Sequence, residues 1–332
     1  PAGGLVGTAR AGKALGRSRL IAFDMGGTST DVALYDGALP QRFETLVAGV
    51  RLQAPMMNIH TVAAGGGSIL HFDGARMRVG PDSAGANPGP ACYGRGGALT
   101  ITDCNVLLGR ITADSFPHVF GTNGDAPIDT AVVQQKFAEL AREISVATQS
   151  ARTPDQIAAG FIDIAVNNMA SAIKRISIAR GHDVTQYALC CFGGAAGQHA
   201  CLVADALGIE TVFIHPLASL LSAYGIGMAQ LTVMRERSVE QTLNTASLAA
   251  LESVYAELET LCFAALVAQG AEASRCICMR RVHLRYAGTD TAIVLDAAPL
   301  AELQANFERT YQQRYSFLMS QRVLIIEAAA VE

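Results

Sequence analysis

The residues best suited to chemistry lie in one short segment that joins two apolar runs. It reads Ile21-Ala22-Phe23-Asp24-Met25-Gly26-Gly27-Thr28-Ser29-Thr30-Asp31-Val32-Ala33-Leu34, so a strand ends in a carboxylate, turns through two glycines and passes three consecutive hydroxyls. A second strand then begins at Asp31. Glycine lets backbone N–H groups approach phosphate oxygens, hydroxyls add donors, and Asp24 or Asp31 can hold Mg²⁺. The segment therefore predicts a phosphate-binding β-hairpin, with an ordinary polar turn as the alternative.

Two further segments contain clustered glycines between apolar residues. Ala63-Ala64-Gly65-Gly66-Gly67-Ser68 suits a close approach of backbone to a ligand, with a flexible connector as the alternative. Phe192-Gly193-Gly194-Ala195-Ala196-Gly197-Gln198-His199 joins a predicted strand to a helix start. Small residues there admit a base or ribose, and the helix N-terminus favours an anion. Because its glycines lack the G-x-G-x-x-G spacing, a dinucleotide fold and a redox enzyme are disfavoured.

Other residues of reactive type carry weaker signals. Asp103 precedes a short apolar helix and is interpreted either as an N-cap or as a catalytic residue. His199 is either a base or a structural residue early in a packed helix. Gly7–Lys13 fits G-x-x-x-x-G-K, but Ala14 stands where a P-loop needs a hydroxyl, so we predict a surface helix. Cys276-Ile277-Cys278 is interpreted as two thiols on one strand face rather than as a metal site.

Apolar periodicity, caps and glycines predict the elements that position these loops. Strands are predicted over 20–24, 32–35 and 77–79, a loop without regular structure over 79–94, and helices over 129–147 and from 153 to near 181. A strand, helix and strand follow over 187–192, 198–207 and 211–214, and then a helix over 220–230. Further on, the pattern predicts a helix over 247–270, strands over 276–286 and 291–295, a helix over 299–315 and a strand over 323–330. The strand, helix and strand over 187–214 form a βαβ unit, whose ligand crevice lies at the strand ends.

Composition limits the classes of protein. The chain has 332 residues, 25 Lys plus Arg against 29 Asp plus Glu, 50% hydrophobic and 16% charged residues, and eight dispersed cysteines. These values exclude a disordered tail and a nucleic-acid binder that works by bulk charge. No apolar run reaches the ~18–20 residues that cross a bilayer. We therefore expect a cytoplasmic protein with reduced thiols, a small-molecule substrate, and neither nucleic acid nor membrane as a partner.

The polar run Glu236–Asn244 interrupts the apolar pattern and predicts a boundary between two parts. The first part is predicted over 1–235, with a helical insertion at about 111–186, and the second over 236–332.

Longer phrases of the sequence resemble known proteins. The Asp-x-Gly-Gly-Thr hairpin with a later Gly-Gly-x-x-Gly turn resembles the actin-like ATPase superfamily. FDMGGTSTDVALYDG, VGPDSAGANPGPACYGRGG and ARGHDVTQYALCCFGGAAGQHACLVADALG resemble the hydantoinase A/5-oxoprolinase family more closely. The resemblance implies an α/β fold, with an actin-like (ribonuclease H-like) lobe that has a mixed sheet and a helical insertion. A partial α+β C-terminal module is implied after that lobe.

The family resemblance also implies an activity, which is ATP-driven cleavage of 5-oxo-L-proline to L-glutamate through a phosphorylated lactam. ATP and Mg²⁺ are the implied cofactors, and 5-oxo-L-proline or a related cyclic amide is the implied substrate. The implied catalytic residues are Asp24, Asp31 and Asp103, of which Asp24 and Asp31 also hold the metal. The implied cofactor-binding residues are Gly26, Gly27, Thr28, Thr30, Gly65, Gly66, Gly67, Ser68, Gly193, Gly194 and Gly197.

One departure from the family pattern concerns completeness. Family members carry an earlier hairpin of the same kind, whereas Pro1-Ala2-Gly3-Gly4 resembles the middle of the family phrase Ser-Gly-Pro-Ala-Gly-Gly. We therefore expect that the other lobes of the same polypeptide are missing and that the chain alone has little or no turnover. Three alternatives stay open: an N-methylhydantoinase, a ketone-carboxylase ATPase subunit, and an actin-like structural protein. The sequence also leaves the oligomeric state open, a homodimer included.

Overall fold

A mixed β-sheet organises the part of the chain that carries the glycine loops. The computed structural model describes residues 1–47 and 50–332. The strands are β1 (Arg19–Met25), β2 (Thr30–Asp36), β3 (Gln41–Val47), β4 (Val50–Met57), β5 (His60–Val62), β6 (Ser68–Phe72), β7 (Met77–Ser83), β8 (Ala188–Phe192), β9 (Val212–Ile214), β10 (Arg235–Thr242), β11 (Arg280–Tyr286), β12 (Ile293–Asp296) and β13 (Leu324–Val331). The α-helices are α1 (Ala2–Ala14), α2 (Ile101–Leu107), α3 (Thr130–Thr148), α4 (Pro154–Ile176), α5 (Ala200–Leu207), α6 (Leu221–Gly227), α7 (Thr245–Ala268) and α8 (Leu300–Tyr315).

Strand β1 lies at the centre of the first sheet, whose order is β5-β2-β1-β8-β9. Leu20, Ile21, Phe23 and Met25 are at most 1% exposed, as expected of a strand covered on both faces. β1 pairs antiparallel with β2 through the glycine hairpin and parallel with β8, and β8 pairs parallel with β9. The predicted hairpin, the βαβ unit and the mixed sheet are therefore confirmed.

The two faces of the sheet bury different helices. Ile21, Phe23 and Met25 belong to a large core that includes buried residues of α2, α3, α4 and α5. Ala22 belongs to a smaller core with Leu5 of α1 and residues of α6. Because side chains alternate along a strand, the residue two positions after Ala22, which is Asp24, faces the same side as α1 and α6.

Helix α1 is the predicted helix over the G-x-x-x-x-G-K segment, but it is not a surface helix. Leu5, Thr8 and Ala11 are buried. Helix α1 crosses α6 so closely that a Cβ at Gly225 would lie 1.7 Å from the Gly3 carbonyl oxygen. Glycines therefore set the contact between these two helices.

The long helices begin where the sequence predicts. The Asp129 side chain accepts a hydrogen bond from the Val132 backbone N–H, and Thr153 forms a capping box with Gln156 at the start of α4. Helix α4 ends at Ile176, and a short 3-10 turn follows before Gly181. The caps explain these starts because each satisfies backbone donors that the first helical turn leaves unpaired.

Three further sequence predictions about elements are wrong. The segment predicted as a loop without regular structure contains the end of β7 and a 3-10 turn at Ala91–Tyr93. The polar run from Glu236 belongs to strand β10, where charged residues suit an edge of the second sheet. Cys276 and Cys278 precede β11 instead of sharing a strand face.

The chain divides into two compact units, Pro1–Ala229 and Gln230–Glu332, a division a few residues before the one that the sequence predicts. The second unit has a four-stranded sheet of order β10-β13-β11-β12. Its core combines residues of α7 and α8 with sheet residues. The residues at the centre of this core include Leu251, Leu258, Val282, Phe307 and Ile326.

Candidate functional site

The first two glycine loops pack directly against each other at the carboxyl end of β1. The backbone N–H of Gly66 donates to the Gly26 carbonyl at 3.1 Å, and that of Gly67 donates to the Gly27 carbonyl at 2.6 Å. A Cβ at Gly65 would lie 2.6 Å from the Thr28 carbonyl carbon. The second loop therefore needs glycine to approach the hairpin, which is a structural reason that the sequence prediction did not include.

The third glycine loop reaches the same strand end from β8. The Ala195 N–H donates to the Met25 carbonyl at 3.0 Å. Gly193 has a φ of +89°, and a Cβ there would lie 2.6 Å from Asp24 Oδ1. Only glycine tolerates this conformation readily. The structure thus brings all three predicted loops together at the carboxyl ends of β1 and β8.

The two predicted metal-binding carboxylates face each other across the hairpin. Asp24 is the register partner of Asp31, and paired residues of antiparallel strands project on the same face. The Ser222 hydroxyl donates to Asp24 Oδ2 at 3.3 Å, and the Thr61 hydroxyl donates to Asp31 Oδ1. Burial raises the pKa of Asp24 above its ordinary value, and the nearby Asp31 carboxylate raises it as well, whereas the Ser222 hydrogen bond lowers it.

At four positions near these strand ends, the fold itself does not require glycine. Almost every described glycine either has a positive φ or would place a Cβ against a neighbouring atom. A Cβ at Gly27, Gly194 or Gly197 would meet nothing within 4 Å, and one at Gly26 would meet only the Ser29 carbonyl oxygen at 4.0 Å. None of these four glycines lies in an α-helix, and the absence of side chains here leaves open space that a ligand can approach closely.

Some predicted site residues form internal contacts instead. Thr30 is fully buried and its hydroxyl donates to the Ala64 carbonyl, because Thr30 lies on the opposite face from Asp31. Ser68 is also fully buried, and its hydroxyl accepts from the Gly65 N–H at 2.8 Å. The Thr30 hydroxyl therefore joins the hairpin to the second loop, and the Ser68 hydroxyl closes the second loop on itself.

Asp103 lies in the first turn of α2. It is fully buried, and its oxygens accept from the backbone N–H groups of Ala91, Cys92 and Thr100 at 3.1, 2.7 and 2.7 Å. Thr100 is the N-cap, so Asp103 is the third residue of a capping box rather than the N-cap itself. Its contacts hold the preceding glycine- and proline-rich segment against α2.

His199 is placed in a buried polar cluster. Burial lowers the pKa of His199 to about 4, so the imidazole is neutral near pH 7. Its Nε2 lies 3.3 Å from Asn105 Nδ2, and Asn105 Nδ2 donates to Gln198 Oε1 at 3.1 Å. Sequence reasoning missed Asn105 and Ser222 as parts of the site, since their partners are distant in the chain.

The carboxylate oxygens of Asp24 and Asp31 are ligands that suit a hard cation bound together with phosphate. In the described part of the chain, no group of three or more His, Cys, Asp and Glu side chains could hold a metal ion. Mg²⁺ is usually held by one or two carboxylates with phosphate and water completing its shell. Asp24 and Asp31 fit that pattern.

Comparisons with known proteins identify the family. Residues 1–235 match the Hydantoinase/oxoprolinase family, and the chain belongs to it. The chain is 39% identical over 344 residues to a 5-oxoprolinase of Dictyostelium discoideum, covering 98% of this chain and 27% of that protein. It is 43% identical over 298 residues to a 5-oxoprolinase of Saccharomyces cerevisiae, covering 89% of this chain and 23% of that protein. The chain thus spans about a quarter of the length of these relatives.

Solved structures show the same fold. The crystal structure of the ATP-dependent caprolactamase from Pseudomonas jessenii matches with a TM-score of 0.84 and 28% identity, over 100% of this chain and 49% of that chain. A nucleotide-free acetone carboxylase matches with a TM-score of 0.70 and 23% identity, over 99% of this chain and 48% of that chain. These matches confirm the predicted α/β fold of the actin-like ATPase type. Among the helices that the structure describes, none is long and apolar enough to span a membrane.

Proposed function

We propose that the chain is the nucleotide-binding part of an ATP-dependent cyclic amide hydrolase that converts 5-oxo-L-proline to L-glutamate. The observation that carries the proposal is the convergence of three glycine loops and two facing carboxylates in a chain that is 39–43% identical to 5-oxoprolinases. In this proposal the chain is cytoplasmic. Further segments of a polypeptide as long as the relatives complete the cleft.

The open glycines support the binding of a nucleotide. Gly26 and Gly27 present backbone to the space beside the hairpin, and Thr28 adds a hydroxyl there. Backbone N–H groups in such turns bind phosphate oxygens. Gly194 and Gly197 leave space at the end of β8, where the nucleoside would lie. Positioning and charge stabilisation are the main contributions that a protein makes to phosphoryl transfer.

The carboxylates have a separate task. Asp24 and Asp31 are the residues that would hold Mg²⁺, since they share one face and supply hard oxygen ligands. When bound, ATP would transfer its γ-phosphoryl group to the lactam carbonyl oxygen and leave as ADP. Water would then add to the activated carbon, the ring C–N bond would break as its nitrogen takes up a proton, and a second water would release phosphate from the resulting acyl phosphate to give L-glutamate. Ser222 donates to Asp24 and therefore helps to fix the direction of its carboxylate.

A second candidate substrate is a larger cyclic amide. The structural match to an ATP-dependent caprolactamase extends over the whole chain with a TM-score of 0.84. The same loops would serve the nucleotide in either case, because the two reactions differ only in the lactam ring.

The test is ATP hydrolysis by the full-length protein that contains this chain. We expect phosphate release that depends on 5-oxo-L-proline and that is weaker with caprolactam. Asp24→Ala should abolish it, whereas Asp163→Ala, which changes an exposed aspartate of α4, should leave it intact. Unchanged turnover in Asp24→Ala would remove the carboxylate from the site. Faster turnover with caprolactam would reverse the choice of substrate.

A further inference from the structure

Hydrogen bonds connect the three glycine loops into a closed ring. The Gly26 and Gly27 carbonyls of the hairpin accept hydrogen bonds from the second loop. The Ala195 N–H of the third loop donates to the Met25 carbonyl at the end of β1. Between the second and third loops, the connection runs through helix α2. At its first turn, the backbone N–H and the hydroxyl of Thr102 both donate to the Gly66 carbonyl, at 2.7 and 2.8 Å.

Asn105 completes the ring one turn further along α2. Its Nδ2 donates to the Ile101 carbonyl at 3.2 Å and to Gln198 Oε1 at 3.1 Å. The second of these is a link between side chains 93 positions apart in the sequence. Helix α2 therefore contacts the second glycine loop through Thr102 and the third loop through Asn105.

The surroundings of Asn105 fix the direction of its amide. Asn105 and His199 are both 0% exposed. The amide Nδ2 has two hydrogens, which the Ile101 carbonyl and Gln198 Oε1 accept, and His199 Nε2 lies 3.3 Å from the same nitrogen. The Ile101 backbone carbonyl can only accept, which keeps Nδ2 rather than Oδ1 on this side of the amide and directed at Gln198.

We propose that Asn105 is a positioning residue that sets the distance between the phosphate-binding hairpin and the nucleoside-binding loop through its hydrogen bond to Gln198. This inference rests on the proposed nucleotide site. A ligand that reaches both loops depends on their separation, whereas a ligand that occupies only the hairpin does not. Asn105 should therefore matter for ATP but not for inorganic tripolyphosphate.

The experiment compares the binding of ATP and of inorganic tripolyphosphate, each with Mg²⁺, to the chain by isothermal titration calorimetry. Asn105→Ala should weaken ATP binding by roughly tenfold, the upper range for one hydrogen-bonded link, and leave tripolyphosphate binding unchanged. Gln198→Ala breaks the same link from its partly exposed side and should have the same effect. The double variant should be no weaker than Asn105→Ala, because the two residues act through one bond. Asn168→Ala, at an exposed position of α4, is the matched control.

The outcomes separate the possible failures. Equal weakening of both ligands would show that Asn105 only supports the fold, and unchanged ATP binding would also overturn the proposal. Should Asn105→Ala unfold, Gln198→Ala alone decides between these results. If the wild-type chain binds neither ligand, the proposed nucleotide site is wrong, and the positioning role of Asn105 is wrong with it.

Discussion

At the scale of single residues, the glycines fall into groups with different physical reasons. Gly65 is required because a Cβ would lie 2.6 Å from backbone of the hairpin. Gly193 is required both by its φ of +89° and by the approach of Asp24. Gly27, Gly194 and Gly197 have neither reason. A glycine that the fold does not need is the better marker of a ligand, because the space beside it is left open.

Exchanging one glycine of each group separates folding from binding. Gly65→Ala should lower the free energy of unfolding by about 1–3 kcal/mol, since its methyl overlaps backbone. Gly27→Ala should change stability by less than about 0.5 kcal/mol, since its methyl meets nothing. In the proposed site, Gly27→Ala should weaken ATP binding about tenfold, or about 1.4 kcal/mol. Chemical denaturation and calorimetry measure the two effects, and strong destabilisation by Gly27→Ala would contradict the distinction.

At Asp24 we expect an ionised carboxylate to favour function but to lower the stability of the fold. Burial raises its pKa above the unfolded value, and Asp31 adds to this. A raised folded-state pKa means that the favourable contribution exists below the unfolded pKa and is lost as pH rises through the folded pKa. The ionised carboxylate therefore destabilises the fold at neutral pH. Asp24→Asn should raise the Tm at pH 7, with a gain that shrinks towards pH 4, while ATP hydrolysis by the full-length protein falls.

The control for this effect is Asp163→Asn, which changes an exposed carboxylate of α4. It should give no comparable pH-dependent gain. A Tm of Asp24→Asn below that of the wild type at pH 7 would show that the contact with Ser222 outweighs the burial of charge.

At the scale of elements, the sequence predicted those whose pattern is local. The run from Leu20 to Met25, the caps at Asp129 and Thr153, and the glycine turn after Phe192 each contain their own signal. Strand β10 was missed because an edge strand with charged residues resembles a polar linker.

The site was predictable in part for the same reason. The loops and Asp24 could be identified, and alternation along β2 could have placed Thr30 on the face opposite Asp31. The contacts of Ser222 with Asp24 and of Asn105 with Gln198 join residues 198 and 93 positions apart. Such contacts depend on how the helices pack, and no local pattern indicates them.

The crossing of α1 and α6 gives a prediction at this scale. Gly225→Ala should destabilise the first unit by roughly 2–3 kcal/mol, because its Cβ would lie 1.7 Å from the Gly3 carbonyl oxygen. Gly227→Ala, in the same helix, should stabilise by about 0.4–1 kcal/mol, because a Cβ there meets nothing and the unfolded chain loses freedom. Urea denaturation of both variants tests this, and equal effects would show that the crossing can relax.

At the scale of the whole molecule, each unit has a hydrophobic core of its own. The large core around β1 contains residues from 21 to 209, and the core of the second unit contains residues from 233 to 331. The ring of hydrogen bonds through Met25, Gly66, Asn105 and Gln198 closes entirely within Pro1–Ala229. Folding of the first unit should therefore be sufficient to form the glycine loops.

This independence can be tested by expressing residues 1–229 alone. Since α6 ends at Gly227 and β10 begins at Arg235, a cut between the units removes no helix or strand of the first unit. We expect residues 1–229 to unfold cooperatively and to bind ATP as tightly as the whole chain does. Circular dichroism and calorimetry would measure both properties, with residues 230–332 as a control that folds but binds no nucleotide. Loss of ATP binding by a folded first unit would mean that the second unit contributes directly to the site.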